Sequence, residues 1–252
     1  MTERCKALGA GEKVKVCASV GDSIVTENAG WTFGGKVAES FDGHVAKSVP
    51  LYNEGHDLVC KLSDYFLNDS SIAYEIGTST GVLLGKLVDH NKNKKVSWVG
   101  IDCEENMIAK AKEKLADNPN VQLEVADINL YDFEKSDLIV SYYCLQFVRP
   151  KYRQELFKKI YDSLNWGGAL ILFEKVRGPD ARFQDIFTTL YSDYKLDQGY
   201  SPSEIVGKTR SLKGVLEPFS TQGNIDMLKR AGFVDIVTVM KYLSFEGFLA
   251  IK

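Results

Sequence analysis

The sequence predicts an α/β fold in which helices cover both faces of a mostly parallel sheet. Short apolar runs of strand length alternate with amphipathic helical segments between residues 72 and 173, and this alternation is typical of parallel sheets. Several predicted strands end in Gly or Asp, at the edge where open α/β sheets bind ligands. Two further apolar runs near the carboxyl end are separated only by residues 241–244, which predicts an antiparallel hairpin.

The predicted elements follow the hydrophobic periodicity. Two helices lie between residues 34 and 67, and Pro50 separates them because the residue before a proline is pushed out of the helical region. Strands are predicted at 72–76, 96–101, 121–125, 138–142 and 169–173, with helices at 82–88, 107–115 and 152–164. Residues 179–219 are predicted to form helices inserted after the fifth strand. A last helix at 225–231 precedes strands at 234–240 and 245–251.

Length and composition favour one packed domain. A chain of 252 residues, 44% hydrophobic and 26% charged, can fill a single core and is not expected to be disordered. We place this domain at residues 22–252, including the inserted helices at about 179–219. Residues 1–21 mix charged residues, glycine and cysteine without a clear period, and we expect them to form a flexible arm.

The same bulk properties exclude several classes of protein. The net charge of -3 and the dispersed lysines disfavour direct contact with nucleic acid and favour a small-molecule substrate. The five cysteines and three histidines lack the spacing of metal ligands, so we expect no metal site. No run approaches the roughly 18 apolar residues of a membrane span. Unpaired cysteines suit a reducing compartment, and we expect a cytoplasmic protein.

A glycine loop follows the first predicted strand. Gly77 and Gly81 frame a stretch that begins with Thr78 and Ser79. Glu75 stands two residues before the first glycine. A dinucleotide fingerprint would place G-x-G-x-x-G here, whereas this wider loop suits a methionine tail and a ribose without pyrophosphate. Glycine lets the backbone approach a ligand closely, although a plain strand-to-helix turn is the alternative for a glycine pair alone.

Two aspartates end the next two predicted strands. Asp102 closes the second, where its carboxylate can accept from both ribose hydroxyls, and Asp127 closes the third, where it can accept from the adenine amino group. Either carboxylate alone is equally suited to capping a helix. Because Glu75, Asp102 and Asp127 all lie at the carboxyl ends of successive strands, the set favours an adenosyl cofactor over capping.

This arrangement resembles the class I S-adenosylmethionine (SAM)-dependent methyltransferase fold, a Rossmann-like α/β fold that ends in an antiparallel hairpin. Further segments resemble one subfamily, the carboxy-SAM synthases that serve wobble-uridine modification in bacterial tRNA. These segments are spread over about residues 22–252 and include Trp31-Thr32-Phe33, Ser48-Val49-Pro50-Leu51-Tyr52, Leu145-Gln146-Phe147, Leu164-Asn165-Trp166-Gly167-Gly168, Glu174-Lys175, Gly199-Tyr200-Ser201, Arg210-Ser211 and Ala231-Gly232-Phe233.

The resemblance implies a cofactor site and a reaction. By the resemblance, SAM would be bound by Tyr52, Gly77, Thr78, Ser79, Asp102, Cys103, Asp127 and Ile128. The glycine-loop pattern adds Glu75 and Gly81 to this set, and Tyr142 is a further candidate at the end of the fourth predicted strand. Arg210 would bind the carboxylate that distinguishes carboxy-SAM, through two parallel hydrogen bonds. The family deprotonates the sulfonium methyl of SAM, carboxylates the ylide with CO2 released from prephenate, and frees phenylpyruvate. Glu174 and Tyr200 are further catalytic candidates, with capping or packing as equal alternatives.

Three places depart from the family pattern. Tyr142 replaces an Asn at the end of the fourth strand, and Tyr191-Ser192 stands where a His pair is expected. Thr78 and Thr80 occupy a loop that usually carries other small or apolar residues. These changes concern the second substrate more than the cofactor. An ordinary methyltransferase acting on a small molecule and a binding module without turnover therefore stay open. The resemblance also implies a homodimer formed through the N-terminal and inserted helices.

Overall fold

The computed structural model describes residues 17–21, 24–34 and 37–252. The predicted arm, residues 1–21, lies mostly outside these ranges. Its end is structured: strand β1, Cys17–Ser19, pairs antiparallel with strand β2, Val25–Glu27. The small sheet packs on the inserted helices, since Gly207 lies against the backbone of Ser19. Within the described ranges, no helix combines the length and apolarity needed to cross a bilayer.

The remaining elements alternate as predicted. Two helices, α1 (Val37–Ser48) and α2 (Tyr52–Ser63), precede the sheet. The alternating segment comprises β3 (Ile72–Ile76), α3 (Val82–His90), β4 (Ser97–Asp102), α4 (Glu105–Lys114), β5 (Val121–Val125), β6 (Ser136–Tyr142), α5 (Pro150–Ser163) and β7 (Leu164–Lys175). The inserted helices are α6 (Ala181–Asp197) and α7 (Pro202–Ser211), and the chain continues through α8 (Thr221–Ala231), β8 (Asp235–Tyr242) and β9 (Phe245–Ile251).

The main sheet has the order β5-β4-β3-β6-β7-β9-β8. Strands β3 to β7 pair in parallel, and β9 pairs antiparallel with both β7 and β8. This confirms the predicted mostly parallel sheet with a terminal hairpin. Strand order reverses between β3, which continues to β4 on one side, and β6 on the other. Ligands bind to open α/β sheets at such a reversal.

Apolar burial on both faces holds the sheet. The interior strand β7 is fully buried from Ala169 to Phe173, as expected of strands covered by helices on each side. Strand β7 begins at Leu164, directly after α5, rather than at the predicted residue 169. Leu164 pairs with Ser136 before the register shifts, and Gly167 takes a φ of 79° within that irregular stretch.

Local sequence signals fix the inserted helices. At the start of α7, the N-cap Ser201 and the third helical residue Glu204 form a reciprocal capping box. Pro202 occupies the first helical position. The Asp180 side chain accepts from the backbone N–H of Phe183 and caps α6. Both helices, together with α1 and α2, cover the carboxyl edge of the sheet, where they contribute side chains to one cavity.

Candidate active site

A cavity of about 600 Å³ lies over the carboxyl ends of β3, β4, β6 and β7. Its floor is formed by the strand ends and the glycine loop, and its walls by α1, α2, α6 and α7. A cavity of this size is in the range of small-molecule sites. Of the residues predicted to bind the cofactor, those that line the cavity are Tyr52, Glu75, Gly77, Thr78, Ser79, Asp102, Cys103 and Tyr142.

Glu75 fixes the start of the glycine loop. Its side chain is 3% exposed, and Thr78 Oγ1 donates a hydrogen bond to Glu75 Oε2 at 2.6 Å. Burial raises the pKa of Glu75 to about 8, because desolvation disfavours the charged carboxylate. A positively charged ligand in the cavity would favour the ionised form, so this acidic floor suits a sulfonium cofactor.

Asp102 links the glycine loop to the end of β4. Oδ2 accepts from the backbone N–H of Ser79 at 2.9 Å, and Oδ1 accepts from that of Glu104 at 3.0 Å. The N-cap of α4 is Glu104, so Asp102 lies outside the capping position. Each carboxylate oxygen keeps a second acceptor site, which fits the two hydroxyls of a ribose. Burial raises the pKa of Asp102 above its usual range.

The two loop glycines have different roles. Gly77 has a φ of +74° and lines the cavity, and a Cβ there would overlap the side chain of Cys144. Gly81 has a φ of +76° and stands at the N-cap of α3. A Cβ on Gly81 would press on Ala111 and Leu115 of the neighbouring helix. Gly81 therefore serves backbone conformation and helix packing, outside the cavity lining.

Tyr142 fills space in the cavity wall. Its hydroxyl donates to the carbonyl of Tyr52 at 2.8 Å, and its ring contacts Tyr52 and His56 edge to face. Both ring nitrogens of His56 are buried without a hydrogen-bond partner among the described residues, and burial lowers the pKa of His56 to about 4. His56 is therefore neutral near pH 7 and available to a ligand as donor or acceptor.

Asp127 and Ile128 lie outside the cavity. Asp127 is exposed, and its Oδ1 accepts from the backbone N–H of Asn129 at 2.9 Å and from Asn129 Nδ2 at 2.8 Å. Ile128 packs against the core cluster beneath the sheet. A local turn after β5 thus engages Oδ1 of the carboxylate, and the next element is strand β6, so Asp127 caps no helix. A contact to adenine stays a prediction for Asp127.

The three predicted catalytic residues also lie outside the cavity lining. Glu174 is buried and accepts from the backbone N–H of Gln146 at 3.1 Å. The Tyr200 hydroxyl lies behind the wall, 3.1 Å from Ser48 Oγ and 3.3 Å from His44 Nδ1. Arg210 is exposed on α7. Arg210 therefore does not line the cavity of this chain, and its contact with a cofactor carboxylate stays a prediction.

Burial of Glu174 leads to a prediction on stability. The pKa of Glu174 is raised to about 8, above its value of 4.5 in the unfolded chain. Between these values the native state binds the extra proton, so this group makes folding less favourable as pH rises. We therefore expect the difference in unfolding free energy, Glu174→Gln minus wild type, to increase with pH between pH 5 and 8. The increase is at most about 1.4 kcal/mol per pH unit. Urea unfolding at several pH values measures it, and a constant difference would contradict the raised pKa.

The sequence missed a set of lysines that line the cavity, namely Lys175, Lys195 and Lys208. Lys175 Nζ lies 4.4 Å and Lys195 Nζ 4.9 Å from the centre of the Tyr191 ring. Lys208 Nζ lies 3.1 Å from His44 Nε2. Strand alternation places Lys175 opposite its buried neighbour Glu174.

Among the described residues, no group of His, Cys, Asp or Glu is arranged to hold a metal ion.

Fold and cavity together define a class of protein. A methyltransferase-domain family matches residues 73–168. The solved apo structure of the SAM-dependent methyltransferase SibL superposes with a TM-score of 0.58 at 15% identity, over 79% of this chain and 55% of that one. The chain therefore has the predicted fold of class I SAM-dependent methyltransferases.

Curated relatives narrow the class to one family. The carboxy-S-adenosyl-L-methionine synthase of Staphylococcus epidermidis is 36% identical over 88% of this chain and 97% of its own length. That of Sulfurimonas denitrificans is 39% identical over 87% of this chain and 94% of its own length. The chain belongs to the family of carboxy-S-adenosyl-L-methionine synthases, as the sequence segments indicated, and SAM is accordingly its cofactor or substrate.

Proposed function

We propose that this protein converts SAM and prephenate into carboxy-SAM, phenylpyruvate and water. The observation that carries the proposal is membership of the carboxy-SAM synthase family over nearly the full length of its relatives. The cavity supports it, because a single space joins the acidic floor at Glu75 and Asp102 to a lysine-lined wall. That space suits a cationic sulfonium beside an anionic second substrate.

The proposed reaction balances without a further reactant. The methyl C–H bond of SAM breaks, prephenate loses its ring carboxylate as CO2 and its ring hydroxyl as hydroxide, and a new C–C bond joins the methyl carbon to CO2. The hydroxide takes the methyl proton and leaves as water. No protein base is needed, so the residues act by positioning the two substrates and excluding solvent. Asp102 would hold the ribose, and the glycine loop the methionine moiety.

One observation favours a second candidate, a SAM-dependent methyltransferase that acts on an anionic small molecule. Methyl transfer needs no cation beside the methyl group, and Arg210 is exposed rather than in the cavity.

Because Arg210 is exposed, we expect Arg210→Ala to change the Kd of SAM and of carboxy-SAM by less than about threefold. Paired calorimetric titrations measure both. A loss of affinity for carboxy-SAM alone would indicate that Arg210 binds the cofactor carboxylate, through a contact that a single copy of the chain does not make.

The ligand that purifies with the protein tests the proposal. Mass spectrometry of the small molecules released by denaturation should detect carboxy-SAM. Recovery of S-adenosylhomocysteine instead would favour the second candidate, and recovery of SAM with no turnover of either substrate would favour a binding module. A homodimer, a cytoplasmic location and the absence of direct nucleic-acid contact stay predictions.

A further inference from the structure

Lys175 and Lys195 form an ammonium pair on the cavity wall. Both side chains lie within cation–π distance of the Tyr191 ring. Tyr191 is itself held in place, because its hydroxyl donates to the carbonyl of Ser48 at 2.8 Å. Lys195 comes from α6, and Lys175 is the last residue of β7. Two consecutive elements of the chain therefore bring their cations to one aromatic ring.

No carboxylate among the described residues forms an ion pair with these two lysines. The pKa of Lys175 is lowered to about 7 by burial, with the charge of Lys195 adding to the effect. The pKa of Lys195 is lowered to about 8 by burial. Buried cations are normally paired, so an incoming anion would gain charge-assisted hydrogen bonds here.

The pair is set apart from the loop that would hold the methionine moiety. Gly77 follows β3, whereas Lys175 ends β7, and β6 lies between these strands. At the usual strand spacing this is about 10 Å across the sheet. An anion at the lysine pair therefore lies some way from the cofactor loop, and the space between them is part of the same cavity.

The chemistry of the second substrate selects which anion fits. Prephenate carries two carboxylates, one lost as CO2 and one retained in the side chain of phenylpyruvate. An ion pair with the departing carboxylate would stabilise the ground state more than a transition state that resembles neutral CO2, and so slow the reaction. An ion pair with the retained carboxylate keeps its strength throughout and orients the ring.

We propose that Lys175 and Lys195 form the subsite that binds the carboxylate retained by the second substrate. The inference rests on the proposed function, under which the retained carboxylate is the side-chain carboxylate of prephenate. Tyr191 holds the two ammonium groups in position before the substrate arrives. The pair thus determines specificity for α-keto acids that carry a free carboxylate.

Phenylpyruvate tests the subsite by binding alone. We expect it to bind the SAM-loaded wild-type protein at least about tenfold more tightly than phenylacetone, which lacks the carboxylate. Lys175→Met and Lys195→Met should each weaken phenylpyruvate at least about tenfold and leave phenylacetone within about twofold. A SAM Kd within threefold of wild type shows that each variant is folded. Lys229→Met, an exposed lysine on α8, is the matched control and should change nothing.

Turnover separates the subsite from the proposed function. In both variants the KM for prephenate should rise at least about tenfold, with a smaller change in kcat. Wild-type affinity for phenylpyruvate in both variants would overturn the subsite even if carboxy-SAM is formed. Lysine-dependent binding of phenylpyruvate by a protein that forms no carboxy-SAM would leave the subsite standing and overturn the reaction.

Discussion

Replacing Asp102 with Ala is expected to weaken SAM binding about ten- to a hundredfold, because hydrogen bonds to a charged acceptor contribute roughly 1.5–3 kcal/mol. The variant loses the proposed ribose acceptor and also the bond that ties the glycine loop to β4 through Ser79. Calorimetric titration measures the effect. Asp102→Asn retains one acceptor oxygen and should lose less.

Asp127→Ala is the matched control for Asp102. Its carboxylate is exposed and bonded to Asn129, so we expect a much smaller change in SAM affinity. A larger loss at Asp127 than at Asp102 would show that adenine contacts, rather than the ribose, dominate cofactor binding. An unchanged Kd in Asp102→Ala would remove this residue from the site.

The second large effect is expected at the glycine loop. Gly77→Ala places a Cβ at a φ of +74° and against the side chain of Cys144. Left-handed backbone and overpacking each cost about 1–3 kcal/mol, so we expect a loss of about 2–4 kcal/mol in unfolding free energy. SAM binding should fall as well, because the displaced loop lines the cavity.

Gly167→Ala separates the two causes. Gly167 has a similar φ of +79°, and a Cβ there would meet no atom within 4 Å. We expect this variant to lose only about 1 kcal/mol and to bind SAM as wild type does. Urea unfolding and calorimetry of both variants provide the comparison. Equal destabilisation would mean that Cys144 moves aside at no cost.

The elements and the glycine loop at the edge of the sheet were predictable because they depend on local signals. Apolar runs, the glycine spacing and the strand-terminal Asp102 each report a property of a few neighbouring residues. The lysine wall depends instead on which neighbour faces the cavity. Glu174 and Lys175 differ by one step of strand alternation, and the sequence motif that contains both does not tell which points inward.

The same question, which of two nearby residues faces the cavity, arises on α7. Lys208 and Arg210 are two residues apart, which is about 200° around a helix, so only one of them can face the cavity. The sequence favoured the guanidinium for its fit to a carboxylate, and the structure turns Lys208 inward. At Asp127 the sequence is insufficient for a different local reason. Asn129 donates to its carboxylate in a turn after β5, and the strand pattern does not predict that contact.

Carbon labelling tests the central claim most directly. Purified protein is incubated with SAM and with prephenate that carries ¹³C in its ring carboxylate, and the products are separated and weighed by mass spectrometry. The proposed reaction predicts carboxy-SAM that contains the label, with unlabelled phenylpyruvate in equal amount. Label released only as CO2 while SAM stays unchanged, or S-adenosylhomocysteine with a methylated product, would contradict it.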